Sequence, residues 1–184
     1  MRTVSQDSAN ILVVEDDDEV ARIVTDYIER SMKARVKRVT TATEAVSSST
    51  SDQPEVVLAD LDLPDSDDLE LARQLKDESD CEVILMTGQP SLDRAIEAMR
   101  LGVRDMFPKP FDLRLLGKSL EEALDARRQR HREQHRYDRL RRVSSHIIRE
   151  RRVLKQRVDL ICRDLVGAYR RLAEKVVSRD EPSN

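Results

Sequence analysis

Five short segments, most of them mainly apolar, punctuate the first two-thirds of the chain as candidate strands: Asn10–Val14, Arg35–Val39, Glu55–Ala59, Val83–Met86 and Val103–Phe107. Each is too short for a stable helix and is bounded by polar or turn-forming residues, which predicts buried strands. The intervals between them carry a different period. Val20, Ile23, Val24, Tyr27 and Ile28 recur at helical spacing within Val20–Met32. Weaker helical patterns follow over Thr43–Ser51, through Leu69, Leu71, Ala72 and Leu75, and over Leu92–Leu101, and another helix begins near Asp112, after Lys109-Pro110.

Strands and helices that alternate five times imply an α/β domain, a parallel sheet covered by helices on both faces. Right-handed crossovers leave a doubly wound sheet of order 2-1-3-4-5 as the expected topology. In such a sheet ligands bind beyond the carboxyl ends of the strands, at the point where the strand order reverses. Those ends are therefore where chemistry is sought.

Beyond residue 126 the pattern changes. No proline lies between Pro110 and Pro182, and only Gly117 and Gly167 weaken a continuous helix. A heptad lattice runs through Leu140, Ile147, Leu154, Ile161 and Ala168 at one seam position. The other seam position holds Tyr137, Ser144, Arg151, Val158, Leu165 and Leu172. This predicts a coiled coil, firmest from Leu154 to Leu172. An unbroken helix of about 65 residues would reach roughly 100 Å, too far to bury its apolar stripe on one small domain. A parallel homodimer is expected, with an antiparallel hairpin as the alternative.

Charge divides the chain at the same place. The overall net charge is -3, yet residues 1–126 carry 28 acidic and 15 basic side chains, and residues 127–184 carry 18 basic and 8 acidic. We therefore read residues 1–126 as one domain and 127–184 as a basic helical extension. Thirteen Lys or Arg against three acids in 127–157 suit an anionic partner, nucleic acid being one candidate by analogy with basic-zipper helices. The competing reading is a solvated face that also pairs with acidic surfaces of the first domain. No helix-turn-helix segment is readable, and the few aromatic residues offer little for base stacking.

No run of 18 apolar residues suggests a membrane span, and MRTVSQDSAN lacks the pattern of a secretory signal. Cys81 and Cys162 stand far apart in no metal-ligand spacing, which fits a reducing, cytoplasmic setting.

The strand ends carry compatible chemistry. The first offers Glu15, Asp16 and Asp17; the third ends on Asp60, with Asp62 beyond it. Crowded carboxylates need protons or a cation, and hard oxygen donors suit Mg2+. Thr87 supplies a hydroxyl beside Gly88, and Lys109 a point cation for a phosphate oxygen. A carboxylate nucleophile, a divalent cation, a hydroxyl donor and a lysine together make a phosphoryl-transfer site. The absence of a GxxxxGK[ST] loop excludes a P-loop nucleotide hydrolase, so the phosphoryl group must come from another molecule.

The segments ILVVEDDDEV (11–20), VVLADLDLPDSD (56–67), VILMTG (83–88) and MFPKPF (106–111) closely resemble the receiver domain of bacterial two-component response regulators. The resemblance implies a CheY-like, flavodoxin-like (βα)5 fold. It implies Asp60 as the phosphoacceptor, and Glu15, Asp16, Asp60 and the Asp62 backbone carbonyl as Mg2+ ligands. Thr87 would be the switch hydroxyl and Lys109 the phosphate-binding cation, aimed by a Lys109-Pro110 bond that is often cis in this family. The phosphoryl donor would be a sensor histidine kinase, and no catalysis beyond self-promoted transfer and hydrolysis is implied. Three positions depart from the family pattern: Asp68 where glycine is usual, Met106 where an aromatic switch residue is usual, and the charged Asp62 beside the site.

Two outputs follow from these readings: dimerisation or protein binding through the helix, or DNA binding by its basic segment. A third, phosphoryl transfer onward to a histidine, would fall to His146 in SSHIIRE (144–150). His131 and His135, at i,i+4 spacing, are poor metal ligands among so many arginines.

Overall fold

A computed structural model describes residues 8–67 and 69–177. Asp68 and its effect on the loop therefore lie outside the described residues. The elements alternate as β1 (Ala9–Val14), α1 (Asp18–Ser31), β2 (Ala34–Val39), α2 (Ala42–Asp52), β3 (Val56–Asp60), α3 (Glu70–Glu78), β4 (Glu82–Thr87), α4 (Leu92–Arg100), β5 (Asp105–Pro108) and α5 (Leu113–Val177). The five strands form one sheet of order β2-β1-β3-β4-β5, each neighbour parallel. This is the expected doubly wound topology.

Side chains alternate across the strands and sort the core into two layers. Leu12, Val14, Val57, Ala59, Val83 and Leu85 pack with Ala45 of α2, Leu71 and Leu75 of α3 and Ala98 of α4. Ile11, Val13, Leu58, Ile84 and Met86 pack on the other face with Val24 and Ile28 of α1 and Leu116 and Leu120 of α5. Burial of each such Leu, Ile or Val contributes roughly 1.5–3 kcal/mol of apolar transfer. All residues of β3 and β4 are buried, as central strands covered on both faces require.

Local signals set the helix starts. The Asp17 carboxylate caps α1 by accepting from the N–H groups of Glu19 and Val20, at 2.8 and 3.1 Å. Thr41 caps α2, and Asp65 reaches across from the β3–α3 loop to accept from the N–H groups of Ala42 and Thr43. These bonds hold the Asp65 carboxyl below the usual carboxylate range, the Ala42 N–H contributing most. Gly117 permits a close approach of Tyr27 on α1 to α5, because a Cβ there would stand 2.5 Å from Tyr27 Oη.

Most boundaries differ from the sequence reading by one or two residues, and one of these differences is informative. β5 begins at Asp105 rather than Val103. Gly102 turns with φ +76, Val103 closes back onto the Ala98 carbonyl, and its side chain plugs the core beside α4. An apolar residue here belongs to the turn that ends the helix.

The chain divides into two compact units, Met1–His131 and Arg132–Asn184. Within the first, the basic segment at the start of the presumed extension already has partners. Arg127 pairs with Asp80 at 2.8 Å, Arg128 with Glu55 at 3.5 Å, and Arg130 with Glu82. These acids lie before or at the first residues of β3 and β4, the end of the sheet opposite Asp60. Three of the arginines offered above to an anionic partner are thus engaged by the domain's own carboxylates.

The second unit is helical through Val177. At the heptad seams Tyr137, Leu140 and Leu165 are exposed in the single chain. The side chains of Ile147, Leu154, Val158, Ile161, Ala168 and Leu172, and that of His146, lie outside the described part. No helix among the described residues is long and apolar enough to cross a membrane.

Candidate phosphoryl-transfer site

β1 and β3 are adjacent and in parallel register, so their carboxyl ends bring Glu15, Asp16 and Asp60 together. One carboxylate oxygen from each lies within 4.8 Å of the others. Glu15 and Asp60 are buried, and Asp16 is exposed at the rim. Lys109, just beyond β5, reaches between the buried pair: its Nζ donates to Asp60 Oδ2 at 2.7 Å and to Glu15 Oε2 and Oε1 at 2.8 and 3.0 Å. The Lys109-Pro110 peptide is cis, and the Lys109 N–H donates to the Thr87 carbonyl at 2.7 Å.

The electrostatics follow from this crowding. Burial is the main cause that pushes Glu15 up to about 7, assisted by the Asp60 charge and opposed by the bonds from Lys109. For Lys109, burial pulls downward, but the carboxylates of Asp60 and Glu15 outweigh it and hold the ammonium above its ordinary range. Two buried carboxylates share Lys109 and the Asp16 carboxylate lies beside them, so the cluster has more acidic than basic groups. All-oxygen donors with such an excess fit a hard divalent cation such as Mg2+.

Asp60 Oδ1 accepts the N–H of Asp62 at 3.1 Å. The Asp62 side chain turns toward β4, where Oδ2 accepts from the Gly88 N–H at 2.6 Å and from Thr87 Oγ1 at 3.2 Å. Its Oδ1 lies 3.5 Å from the guanidinium of Arg94 on α4. Thr87 Oγ1 in turn accepts the Gln89 N–H at 3.0 Å. The sequence reading gave Asp62 a metal-binding carbonyl but marked its side chain only as a nearby charge, and it gave no sign of Arg94, whose place depends on the β4–α4 turn.

Met106 pairs in register with Leu85 and packs against the same layer as α3 and α4. Phe107 packs into the opposite layer, edge-on to Phe111 with centroids 6.2 Å apart. Thr87, two residues after Leu85, therefore shares the face of Met106 and not that of Phe107.

A family model for the response regulator receiver domain matches residues 11–121. The chain belongs to that family. It is 35% identical over 106 residues to the DNA-binding transcriptional regulator NtrC of Proteus hauseri, covering 56% of this chain and 22% of that protein. It is 32% identical over 119 residues to the C4-dicarboxylate transport transcriptional regulatory protein DctD of Pseudomonas aeruginosa, covering 64% and 26%. The chain thus spans about a quarter of the length of these relatives. Among solved structures, a CheY-like receiver domain from Methanospirillum hungatei superposes with a TM-score of 0.63 at 24% identity, over 67% of this chain and 98% of that one. The BeF3-activated receiver domain of RstA from Klebsiella pneumoniae gives 0.58 at 26% identity, over 62% and 97%.

Proposed function

We propose that Asp60 is the phosphoacceptor and that a sensor histidine kinase is its donor. The observation that carries the reading is the buried Asp60 carboxylate at the end of β3, held at 2.7 Å by Lys109 beside two further carboxylates. In the transfer step an Asp60 oxygen attacks phosphorus as the bond to the donor's imidazole nitrogen breaks, and that nitrogen keeps the electron pair. In the return step water attacks phosphorus, releasing orthophosphate and regenerating the carboxylate. Glu15, Asp16, Asp60 and the Asp62 carbonyl would hold Mg2+, which supplies charge neutralisation for the phosphoryl oxygens when bound. Lys109 is placed to take one phosphoryl oxygen, and the Thr87 hydroxyl another. The chain catalyses only its own phosphorylation and dephosphorylation.

Residues 127–184 form the output element. The exposed Tyr137, Leu140 and Leu165 support a homodimer through the helix, which presents the phosphorylation state to a downstream protein in the cytoplasm. DNA binding by the basic segment is the second reading, supported by the similarity to the transcriptional regulators NtrC and DctD. A gel-shift assay with and without phosphodonor separates the two, since salt-sensitive, phosphorylation-dependent retardation would favour DNA.

The central test is labelling by acetyl phosphate in the presence of Mg2+, comparing wild type with Asp60→Asn. Label on wild type alone is expected; label that persists in the variant would place the acceptor elsewhere.

A further inference from the structure

The donors that would meet a phosphoryl oxygen on Asp60 already serve an anion. Asp62 Oδ2 accepts both the Gly88 N–H and the Thr87 hydroxyl, and its second oxygen faces Arg94. A phosphoryl oxygen makes the same demand, a hydroxyl and an amide converging on one anionic oxygen. Thr87 has a single hydroxyl proton, and Gly88 a single amide proton, so neither can serve two acceptors at full strength. Asp62 also stands two residues from Asp60, so its charge opposes the phosphoryl dianion that would arrive.

We propose that the Asp62 carboxylate is a built-in competitor for the phosphoryl group, occupying its Thr87 and Gly88 donors until phosphorylation displaces it toward Arg94. The inference rests on Asp60 being the phosphoacceptor. It makes Asp62 a residue that sets how readily the domain loads, and Arg94 the residue that receives the displaced charge. The bland alternative is a brace for the β4–α4 turn, with no bearing on loading. The two separate cleanly, because asparagine keeps the shape and one acceptor of Asp62 while removing its charge.

The probe is beryllium fluoride with Mg2+, titrated into the full chain and followed by the Gly88 amide resonance. Asp62→Asn should lower the half-saturating concentration, and Asp62→Ala should lower it by roughly tenfold, the worth of a lost charge-assisted bond. A brace predicts wild-type behaviour for Asp62→Asn and weaker binding for Asp62→Ala; either result overturns the proposal. Without any fluoride, Asp62→Ala should already shift the Gly88 amide upfield, and an unmoved resonance would show that no such bond exists. That last measurement does not depend on Asp60. A wild type that neither binds the probe nor labels with acetyl phosphate would instead remove the phosphoacceptor reading.

Discussion

Arg130 of α5 forms an ion pair with Glu82, the first residue of β4 and 48 positions earlier in the chain. Glu82 is 4% exposed and has Lys76 at 3.9 Å as its other cation. Taking a partner away from a carboxylate so buried is costly. Glu82→Gln should lower stability by about 1–3 kcal/mol, and Arg130→Ala by less, since Arg130 is half exposed and Lys76 stays in place. Urea denaturation of the two variants checks the order.

Among the described residues, Lys109 is the cation that bridges the buried carboxylates of Asp60 and Glu15. Lys109→Met should leave the buried Asp60 and Glu15 carboxyl groups without their shared cation, costing about 2–4 kcal/mol in metal-free protein. Added Mg2+ should recover a larger share of stability in this variant than in wild type. Thermal melts with and without the ion measure the difference.

Gly117→Ala pits helix propensity against space. Alanine gains about 1 kcal/mol over glycine inside a helix, but its Cβ would stand 2.5 Å from Tyr27 Oη and 2.9 Å from Tyr27 Cε1. Overpacking of this kind costs about 1–3 kcal/mol, so the variant should be less stable on balance. Tyr27→Phe removes the nearer atom only. Combined with Gly117→Ala it should restore part of the loss, which a double-mutant cycle reports.

Asp65 ties the loop after Asp60 to the N-terminus of α2. Its folded carboxyl is held below the usual range, so its stabilisation is present above the unfolded value and lost as pH falls through the folded one. Asp65→Asn should therefore cost about 1 kcal/mol at neutral pH, and the gap to wild type should close as pH falls through the folded value. Stability curves across that range settle the sign.

If the heptad lattice pairs two chains, a charge at a seam should part them. Leu165→Glu is expected to convert a dimer to a monomer in light scattering without changing the far-ultraviolet signal of the receiver. Loss of that receiver signal instead would show that Leu165 is needed for folding.

Much of the fold was legible because the strands are apolar runs with sharp polar ends. The carboxyl ends of β1 and β3 could be placed to the residue, which brought Glu15, Asp16 and Asp60 together from spacing alone. β5 was misjudged by two residues because Val103 is as apolar as a strand residue yet serves the turn after α4. Glu82 gave no signal, since an acid at the start of a strand reads as solvated until the helix that covers it is known. The same gap made Arg127, Arg128 and Arg130 look available when each has an acidic partner. Charge pattern reveals sign and density, but not which opposite charges the tertiary fold delivers. Asp62 shows the limit most clearly: its charge was evident, while its bonds to Thr87 and Gly88 depend on a turn far along the sequence.

β4 carries Glu82 at one end and Thr87 at the other, with only buried residues between. A single inserted or deleted residue in that strand would turn its side chains to the wrong face. It would part Glu82 from Arg130 and Thr87 from Asp62 in the same stroke. Length variation among descendants of this chain should therefore gather in the loops around residues 61–69 and 88–91, while these six positions remain fixed in number even as their identities drift.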